Sequence, residues 1–359
     1  MAGYQTSDIA DLVNSVIPKY ERNFLADAAT DLRDYVAAEK LWDKRRQKTD
    51  WSGGDQFKWN VLYKGDSNFR AVGYFEVDNT NQEDGSVQGA IPWRFVSSSC
   101  TFDTKQISVN SAPEKIIDFI GEKETQMWIG WFNGLEQYFW DGPSDSSDTK
   151  IPYGLLNYWL DYDASTGFNG GNHTNWSSGP AGIDCTDANY ANWKHYTFNY
   201  SNVSDEDAVK KLRVAILSTR FRGIPNKLIK DGSYSDMDEE AYYTVLDNIV
   251  ELGTLAESKD DNVGRNLGKY EETVTINRVP IIEVPYLTEN HATSAPFIGI
   301  KWKQVRVPHP KGKWFEKTPY EKAPLQHASR QKFVDASRQI ALVNRRQFVL
   351  GAKSDPLSD

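Results

Sequence analysis

The sequence predicts an α+β fold, in which strand-rich segments flank one long helix. Three observations support this class. Residues 57 to 64 alternate between two faces, as a strand in a hairpin does. Residues 111 to 142 keep apolar side chains at helical spacing for about thirty positions. Strand patterns return near the C-terminus, in PFIGIKWKQVRV and QIALVNRRQFVL.

Length and composition allow a sizeable core. The chain has 359 residues, of which 39% are hydrophobic and 13% aromatic, so disorder is excluded as its overall state. The net charge of −9 argues against a dedicated nucleic-acid binder and favours repulsion between free copies. Two cysteines, Cys100 and Cys185, exclude a disulfide scaffold and indicate a reducing compartment. We expect neither a signal peptide nor a membrane span, because no apolar block has the necessary length.

Residues 1–49 predict polar helices that need a partner. Leu12 and Val13 lie on one face of the first pattern, and Tyr35 and Val36 lie on one face of the second. Neither face is large enough to form a domain alone. We therefore expect this segment to be an arm that docks elsewhere.

Residues 50–96 predict a long β-hairpin arm. QFKWNVLYK, FRAVGYFEV and GAIPWRFVSSS are strand-like, and the polar segment DNTNQEDGS indicates a turn-rich tip. An isolated hairpin is marginally stable in water. Its aromatic face must therefore be covered by another element or another chain.

The long helix has clear ends in the sequence. Ser111 and Glu114 form a capping box, Pro113 suits the first turn, and Gly142 ends the helix. At ~1.5 Å per residue it spans about 45 Å. Aromatic residues surround its second half, MWIGWFNGLEQYFW, so we expect this half to be covered on all sides. The predicted packing residues are Trp128, Trp131, Phe132 and Phe139.

Residues 151–290 predict a loop-rich body. A capping box at Ser204 and Asp207 indicates one helix, and a second is expected from about 237 to 255. The glycine-rich GFNGGN, residues 167–172, lacks the Lys-Ser/Thr pair of a phosphate-binding loop. We expect it to be a flexible or tightly turning loop, in which Gly170→Val disturbs only local structure.

No spacing in the sequence selects a catalytic or metal centre. None of the five histidines lies in a zinc-binding motif, and no nucleophile elbow occurs. Loop carboxylates are plentiful, but no pair stands out as a general acid and base. We therefore assign no catalytic residue, metal or cofactor. The carboxylates in question are Asp161, Asp163, Asp184, Asp187, Asp236 and Asp238.

The C-terminal stretch is basic. Between positions 301 and 353 there are 13 Lys and Arg against three acidic residues, so the chain is electrically polarised. Arg345 and Arg346 lie in the strand-like segment LVNRRQFVL and are candidates for contact with nucleic acid. A solvated strand edge, or salt bridges to acidic neighbours, is the alternative.

The ordered set of these segments resembles the major capsid proteins of tailed bacteriophages, whose fold is shared with herpesvirus capsid proteins. GGDQFKWNVLYKGDSNFRAVGYFEV resembles the extended loop, and QGAIPWRFVSSSCTFDTKQISVN resembles the strand leading into the spine helix. IPYGLLNYWL, TGFNGGN and the stretch from YANWKHY to LSTRF resemble an axial domain. The resemblance covers residues 20 to 352, and the order of the segments is more specific than any one motif.

The resemblance implies a division into five parts. It implies an N-terminal arm (1–49), an extended β-hairpin loop (50–96), a peripheral domain with the spine helix (97–150), an axial domain (151–290) and return strands that complete the peripheral domain (291–359). Many copies would form the pentamers and hexamers of an icosahedral shell around double-stranded DNA, with Arg345 and Arg346 at its inner surface. The implied contacts between subunits are Trp42, Phe57, Trp59, Tyr63, Phe69, Tyr74 and Trp93.

The implied setting is a virion capsid assembled in the host cytoplasm. The implied partners are the chain itself, portal, scaffolding and decoration proteins, and packaged DNA through non-specific contacts, with no membrane. Two other classes stay open. One is a secreted carbohydrate-active or carbohydrate-binding protein that uses the aromatic residues of 151–200 as a sugar platform. The other is an encapsulin-like compartment shell.

Overall fold

The computed structural model describes residues 35–42, 48–65, 67–76, 84–105, 113–220, 240–258, 273–324, 326 and 328–358. Side chains at 42, 48–51, 113–118, 256–258 and 273 are outside this description. The capping residue Ser111 and the helix predicted near residue 12 lie outside the described residues, as does the side chain of Trp42.

Five α-helices occur in the described part of the chain. They are α1 (Val36–Trp42), α2 (Pro113–Trp140), α3 (Asp207–Ser218), α4 (Leu246–Ser258) and α5 (Pro285–Asn290). A π-helical turn spans Leu155–Trp159. Short 3-10 turns span Pro180–Gly182, Ala188–Trp193, Trp302–Gln304, Arg345–Gln347 and Pro356–Ser358.

Sixteen strands are described, and they form four sheets. The first eight are β1 (Lys48–Trp51), β2 (Gln56–Leu62), β3 (Ser86–Pro92), β4 (Phe95–Asp103), β5 (Gly167–Gly170), β6 (His195–Asn199), β7 (Glu240–Thr244) and β8 (Thr273–Ile276). The others are β9 (Val279–Glu283), β10 (Phe297–Lys301), β11 (Val305–Pro310), β12 (Glu316–Lys317), β13 (Glu321–Lys322), β14 (Ser329–Ser337), β15 (Ala341–Leu342) and β16 (Val349–Ala352).

The largest sheet has seven strands in the order β5-β6-β16-β10-β7-β9-β8. Its centre is buried on both faces, because β7 and β10 carry only buried residues. Phe297 points into a core with α3 and α4, whereas Ile298 points into the larger core beneath the opposite face. A strand buried on both faces loses the alternation of polar and apolar residues that a half-buried strand shows.

The second sheet has four strands, with β14 at its centre. β4 pairs with β14 over all nine residues, from Phe95 opposite Ser337 to Asp103 opposite Ser329. β12 and β13 pair with the other edge of β14. One face of this sheet packs on α2 through Phe102 and Trp131, which lie in the same buried cluster.

Helix α2 connects the two large sheets. Its middle packs under the four-stranded sheet, where Met127 and Trp131 are buried. Its last turn lies in the larger core, where Phe139 stacks on Trp302 at 5.6 Å and Trp140 lies 5.5 Å from Tyr243. The expected long helix is confirmed between its predicted ends.

Several predicted elements differ from the structure. The segment predicted as a helix from 237 to 255 begins, where it is described, with the central strand β7, and α4 starts only at Leu246. GFNGGN is not a free loop, because its first four residues form the edge strand β5. FRAVGYFEV forms no strand in its described part. Residues 291–359 divide between sheets, since β14 lies in the four-stranded sheet and β10 and β16 lie in the seven-stranded one.

Candidate functional site

The described arm is a two-stranded hairpin whose root packs on the body of its own chain. β2 and β3 pair antiparallel, from Gln56 opposite Pro92 to Leu62 opposite Ser86. Trp59 crosses the hairpin above Gly89, and its indole N–H donates to the Val343 carbonyl at 3.3 Å. A side chain at position 89 would press on that ring, since an added Cβ would lie 3.1 Å from it.

Phe57, which was predicted to contact another subunit, has partners within its own chain. Its side chain is buried in the main core of its own chain, where it stacks on Trp59 at 5.4 Å between ring centroids. Trp93 packs against the same core and donates to the Gly54 carbonyl at 2.8 Å. The alternation in the sequence identified the aromatic face of the hairpin. It did not show that the body of the same chain covers this face at the root of the hairpin.

Tyr63 also has partners in its own chain. Its ring meets Tyr190 edge-on at 4.9 Å, and its hydroxyl donates to the Asp84 carbonyl at 2.9 Å. Asn192 donates to the Tyr63 carbonyl, which fixes the end of β2 to the body. A cavity of about 470 Å³ lies between this end of the hairpin and the segment around Arg346.

The segment beyond the root is exposed and apolar. Phe69 is 99% exposed, Tyr74 is 100% exposed, and Phe75 is fully exposed as well. The other large exposed side chains there are Leu62 and Val72. Half of the ten large apolar side chains exposed in the described residues therefore lie between 62 and 76. Exposed apolar side chains concentrated in one segment make it a candidate interaction surface.

Helix α2 is covered mainly by its own chain. Trp131 and Phe139 are buried, whereas Trp128 and Phe132 are half-buried. Trp128 stacks on Phe315 at 6.0 Å and lies beneath the Lys317 ammonium at 4.7 Å. The aromatic surface of this helix therefore needs little covering from another chain.

A buried carboxylate holds α1 on α2. Both oxygens of Glu136 accept from the backbone N–H of Ala37 at 3.1 Å, and one also accepts from that of Ala38 at 3.0 Å. The Trp140 indole donates to the same carboxylate at 2.8 Å. A negative group at a helix N-terminus satisfies donors that lack partners within the helix. The fully buried carboxyl group of Glu136 thus joins α1 to the long helix α2.

Arg345, which was predicted to lie at an inner surface, is buried within its own chain. Its side chain is 0% exposed and donates to the carbonyls of Trp159 and Gly171 at 2.5 and 2.6 Å. The same guanidinium lies 3.1 Å from the Cys185 sulfur. Burial lowers the pKa of Arg345 from its ordinary value. The residue links the segments around Trp159, Gly171 and Cys185, and it lies in a 3-10 turn instead of a strand.

Arg346, its neighbour, points outward. Its guanidinium lies 4.2 Å from the centroid of Phe168 and donates to the Asn192 side chain at 2.9 Å. Its side chain is half-buried, so it keeps part of its charge accessible. Of the two predicted basic residues, only Arg346 has an exposed surface that a partner can reach.

Two titratable groups lie close to Arg345. Asp161 accepts from the Gly171 backbone N–H at 3.3 Å, and burial raises its pKa to about 6 although the Arg345 charge opposes this shift. His195 is fully buried, and burial lowers its pKa well below the ordinary value. An added Cβ on Gly170 would lie 2.0 Å from the His195 ring. Gly170→Val is therefore expected to disturb the body of the sheet, not only a local loop.

Among the described residues, no group of three His, Cys, Asp or Glu side chains is arranged to hold a metal ion. None of the described helices combines the length and apolar character that crossing a membrane requires. The loop acids Asp161 and Asp184 bond to backbone or amide groups of their own chain.

The described elements combine into one architecture. A long helix joins a four-stranded sheet to a larger, doubly covered sheet, and a hairpin extends from the body. The chain has the mixed helix and sheet fold of tailed-phage major capsid proteins, and the match extends over most of its length.

Two solved structures carry this comparison. The capsid of the native GTA particle aligns with a TM-score of 0.52 at 8% identity, over 93% of this chain and 94% of that chain. The capsid of the cyanophage P-SCSP1u aligns with a TM-score of 0.51 at 7% identity, over 94% and 93%. An encapsulin complex from Synechococcus elongatus aligns less well, with a TM-score of 0.43 at 10% identity over 99% and 97%. No family model and no curated protein matches the chain.

Proposed function

We propose that the chain is a major capsid protein that assembles with itself into pentamers and hexamers of an icosahedral shell around double-stranded DNA. The observation that carries this proposal is the fold, which aligns with the GTA particle capsid over nearly the whole of both chains. At 8% identity the likeness concerns the fold, so the assembly function needs its own support.

The exposed segment of the hairpin supplies that support. The rings of Phe69, Tyr74 and Phe75 are not covered by any of the described residues of the free chain. Water contact with these rings is unfavourable, and a neighbouring copy removes it. A closed shell then sums many such contacts, so each one can be weak.

The contacts between subunits are proposed to lie at the hairpin tip, with Phe69 and Tyr74 as the principal residues. The five-part division into arm, extended loop, peripheral domain, axial domain and return strands is proposed for this chain on the same basis, with the return strands of 291–359 shared between the four-stranded and the seven-stranded sheets. Its role is structural, without catalysis or cofactor. The partners proposed besides the chain itself are portal, scaffolding and decoration proteins and packaged DNA, in a virion capsid assembled in the host cytoplasm.

Negative-stain electron microscopy of the purified chain tests the proposal. We expect capsomer rings or closed shells that form above a threshold protein concentration. Monodisperse monomers at every concentration and ionic strength would contradict it. A glycan-binding screen on the same sample tests the carbohydrate alternative, for which we expect no binding.

A further inference from the structure

Strand β4 has one edge that none of the other described strands pairs with. Its nine residues pair with β14 along one edge, and no other described strand pairs with the second edge. Natural sheets protect such edges with lysine, proline, a bulge or a covering element, because unpaired backbone groups attract another strand. The β4 sequence FVSSSCTFD contains no lysine or proline, and its register with β14 runs without a break.

The backbone groups at this edge can be identified. The Thr104 N–H donates to the Ala328 carbonyl at 2.8 Å, and the Arg338 N–H donates to the Arg94 carbonyl at 3.3 Å. In an antiparallel pair, hydrogen-bonded positions alternate with positions whose groups point away. The even-numbered residues therefore bond to β14. The N–H and C=O groups that point to the open edge belong to Phe95, Ser97, Ser99, Thr101 and Asp103.

The hairpin contains a segment that has strand-forming residues but no strand partner. FRAVGYFE, residues 69–76, contains three aromatic residues and one valine, which favour strands, yet it belongs to no described strand. Phe75 has a φ of 62°, a left-handed conformation that is unfavourable for a bulky residue. Its side chain is fully exposed, so no packing maintains this conformation.

Weak local contacts hold that turn. Glu76 accepts from the Gly73 backbone N–H at 2.7 Å and pairs with Arg70 at 3.3 Å. Both charged side chains are more than a third exposed, so the pair contributes little. An extended conformation would relieve the strain at Phe75 at a small cost in these contacts.

The segment and the edge have matching surfaces. Phe69 and Phe75 are six residues apart and share one face of an extended strand, with the small residues Ala71 and Gly73 between them. On β4, Phe95 is 57% exposed, and the next positions on the same face are serine or threonine. Pairing in either direction therefore sets a phenylalanine beside Phe95 and a small residue beside each serine.

The apolar area that this pairing would bury is small for a protein interface. Burial of two phenylalanines removes roughly 300–500 Å² from water. A stable two-protein interface buries about 1,200–2,000 Å² in total. The contact is therefore too small to hold an isolated dimer, but it adds to others in a closed shell.

We propose that residues 69–76 of one copy add as a strand to the open edge of β4 in a second copy. This inference rests on the proposed shell function and names the surface that receives the hairpin. The two surfaces differ, so the contact is head-to-tail, and such contacts close into rings when the rotation allows it.

A disulfide experiment between full-length chains tests the pairing. One variant carries Ala71→Cys and a second carries Ser99→Cys, while the native Cys100 and Cys185 are buried. The two are mixed, assembled, oxidised and examined on a non-reducing gel. Ser97→Cys and Thr101→Cys scan the register, and Val72→Cys scans the other face.

We expect covalent dimers in at least one mixture and none from either variant alone. Dimers from Ser99→Cys alone would mean that two β4 edges pair with each other, which overturns the inference. Particles without a cross-link in any mixture also overturn it, while the proposed function stands. If no particles form in any sample, the proposed function fails, and the inference fails with it.

A proline substitution gives a second test. Ser99→Pro removes an N–H that points to the open edge and leaves the bonds to β14 in place, as edge positions allow. Ser99→Ala is the matched control, since it keeps the N–H. We expect Ser99→Pro to raise the protein concentration at which particles form by roughly tenfold, because one backbone hydrogen bond between the two copies is lost. The melting temperature of the subunit should not change. Equal thresholds for the two variants would contradict the pairing.

Discussion

At the scale of single residues, adjacent arginines have opposite roles. Arg345 is buried with its guanidinium on two carbonyls and a sulfur, whereas Arg346 is half-buried on the aromatic face of Phe168. The sequence places both in one basic stretch and does not distinguish them. Burial depends on loops that are more than 150 positions away along the chain.

This contrast gives a matched pair of substitutions. Arg345→Ala removes the donor to two carbonyls and a sulfur and opens a cavity, so we expect a loss of about 3–5 kcal/mol in the free energy of unfolding. Arg346→Ala removes a surface contact, for which we expect less than about 1 kcal/mol. Urea unfolding of the two variants measures the difference. Equal stabilities would contradict the buried role of Arg345.

Asp161 predicts a pH dependence of stability. Its pKa is raised to about 6 in the folded chain, chiefly by burial, and is about 3.9 in an unfolded one. The folded state therefore binds this proton more tightly. The stability that Asp161 contributes is complete below about pH 4 and is lost as the pH rises through about 6.

Asp161→Asn tests this sign. The amide stays neutral, so we expect the variant to be more stable than the parent above pH 7, by on the order of 1–3 kcal/mol, and no more stable below pH 4. Thermal melting between pH 4 and 8 measures the effect. Destabilisation at pH 8 would mean that attraction to Arg345 outweighs the burial of the carboxylate.

At the scale of elements, the hairpin has two functions along its length. Its root belongs to the core through Phe57, while its tip leaves Phe69 and Tyr74 exposed. A substitution in the arm therefore affects either folding or assembly according to its distance from the body. Trp59 lies between the root and the tip, because its ring packs both on Gly89 of the hairpin and on the core.

Phe57→Ala and Phe69→Ala separate the two functions. Phe57→Ala creates a cavity in the core and is expected to cost about 3–5 kcal/mol of stability. Phe69→Ala exposes less apolar surface and should leave the melting temperature unchanged, while it reduces the yield of particles. Calorimetry on subunits and electron microscopy on assembled samples measure the two effects. A destabilised Phe69→Ala would contradict the separation of root and tip.

Local patterns predicted some elements and failed at others for a physical reason. The long helix was predictable because its period and its stop at Gly142 are local signals. Strand β7 was not, because EAYYT is buried on both faces and lacks the alternation that marks a strand. The turn at Phe75 replaced a predicted strand because the described part of the chain supplies no partner for that segment. The alternating pattern of QFKWNVLYK predicted the hairpin arm, but the division between its root and its tip depends on packing.

At the scale of the whole molecule, folding and assembly use separate surfaces. The cores below the two large sheets are filled by the chain itself, including most of the aromatic face of α2. The exposed apolar segment lies at the end of the hairpin, away from these cores. A subunit of this kind is expected to fold alone and to assemble only when its concentration is sufficient.

A shortened hairpin tests this separation on the whole molecule. The Tyr63 N–H donates to the Gly85 carbonyl at 3.0 Å, so β2 and β3 are still close together where a short turn can join them. We expect a variant in which Asn-Gly replaces residues 66–83 to keep the parent melting temperature within a few degrees, because the root and its core contacts stay intact. Analytical ultracentrifugation should show a monomer at concentrations at which the parent forms particles. Mixed with the parent, the variant should enter particles poorly, since it lacks the segment that reaches the neighbouring copy. If it assembles as the parent does, the hairpin tip is not an assembly surface, and contacts on the body must hold the shell together.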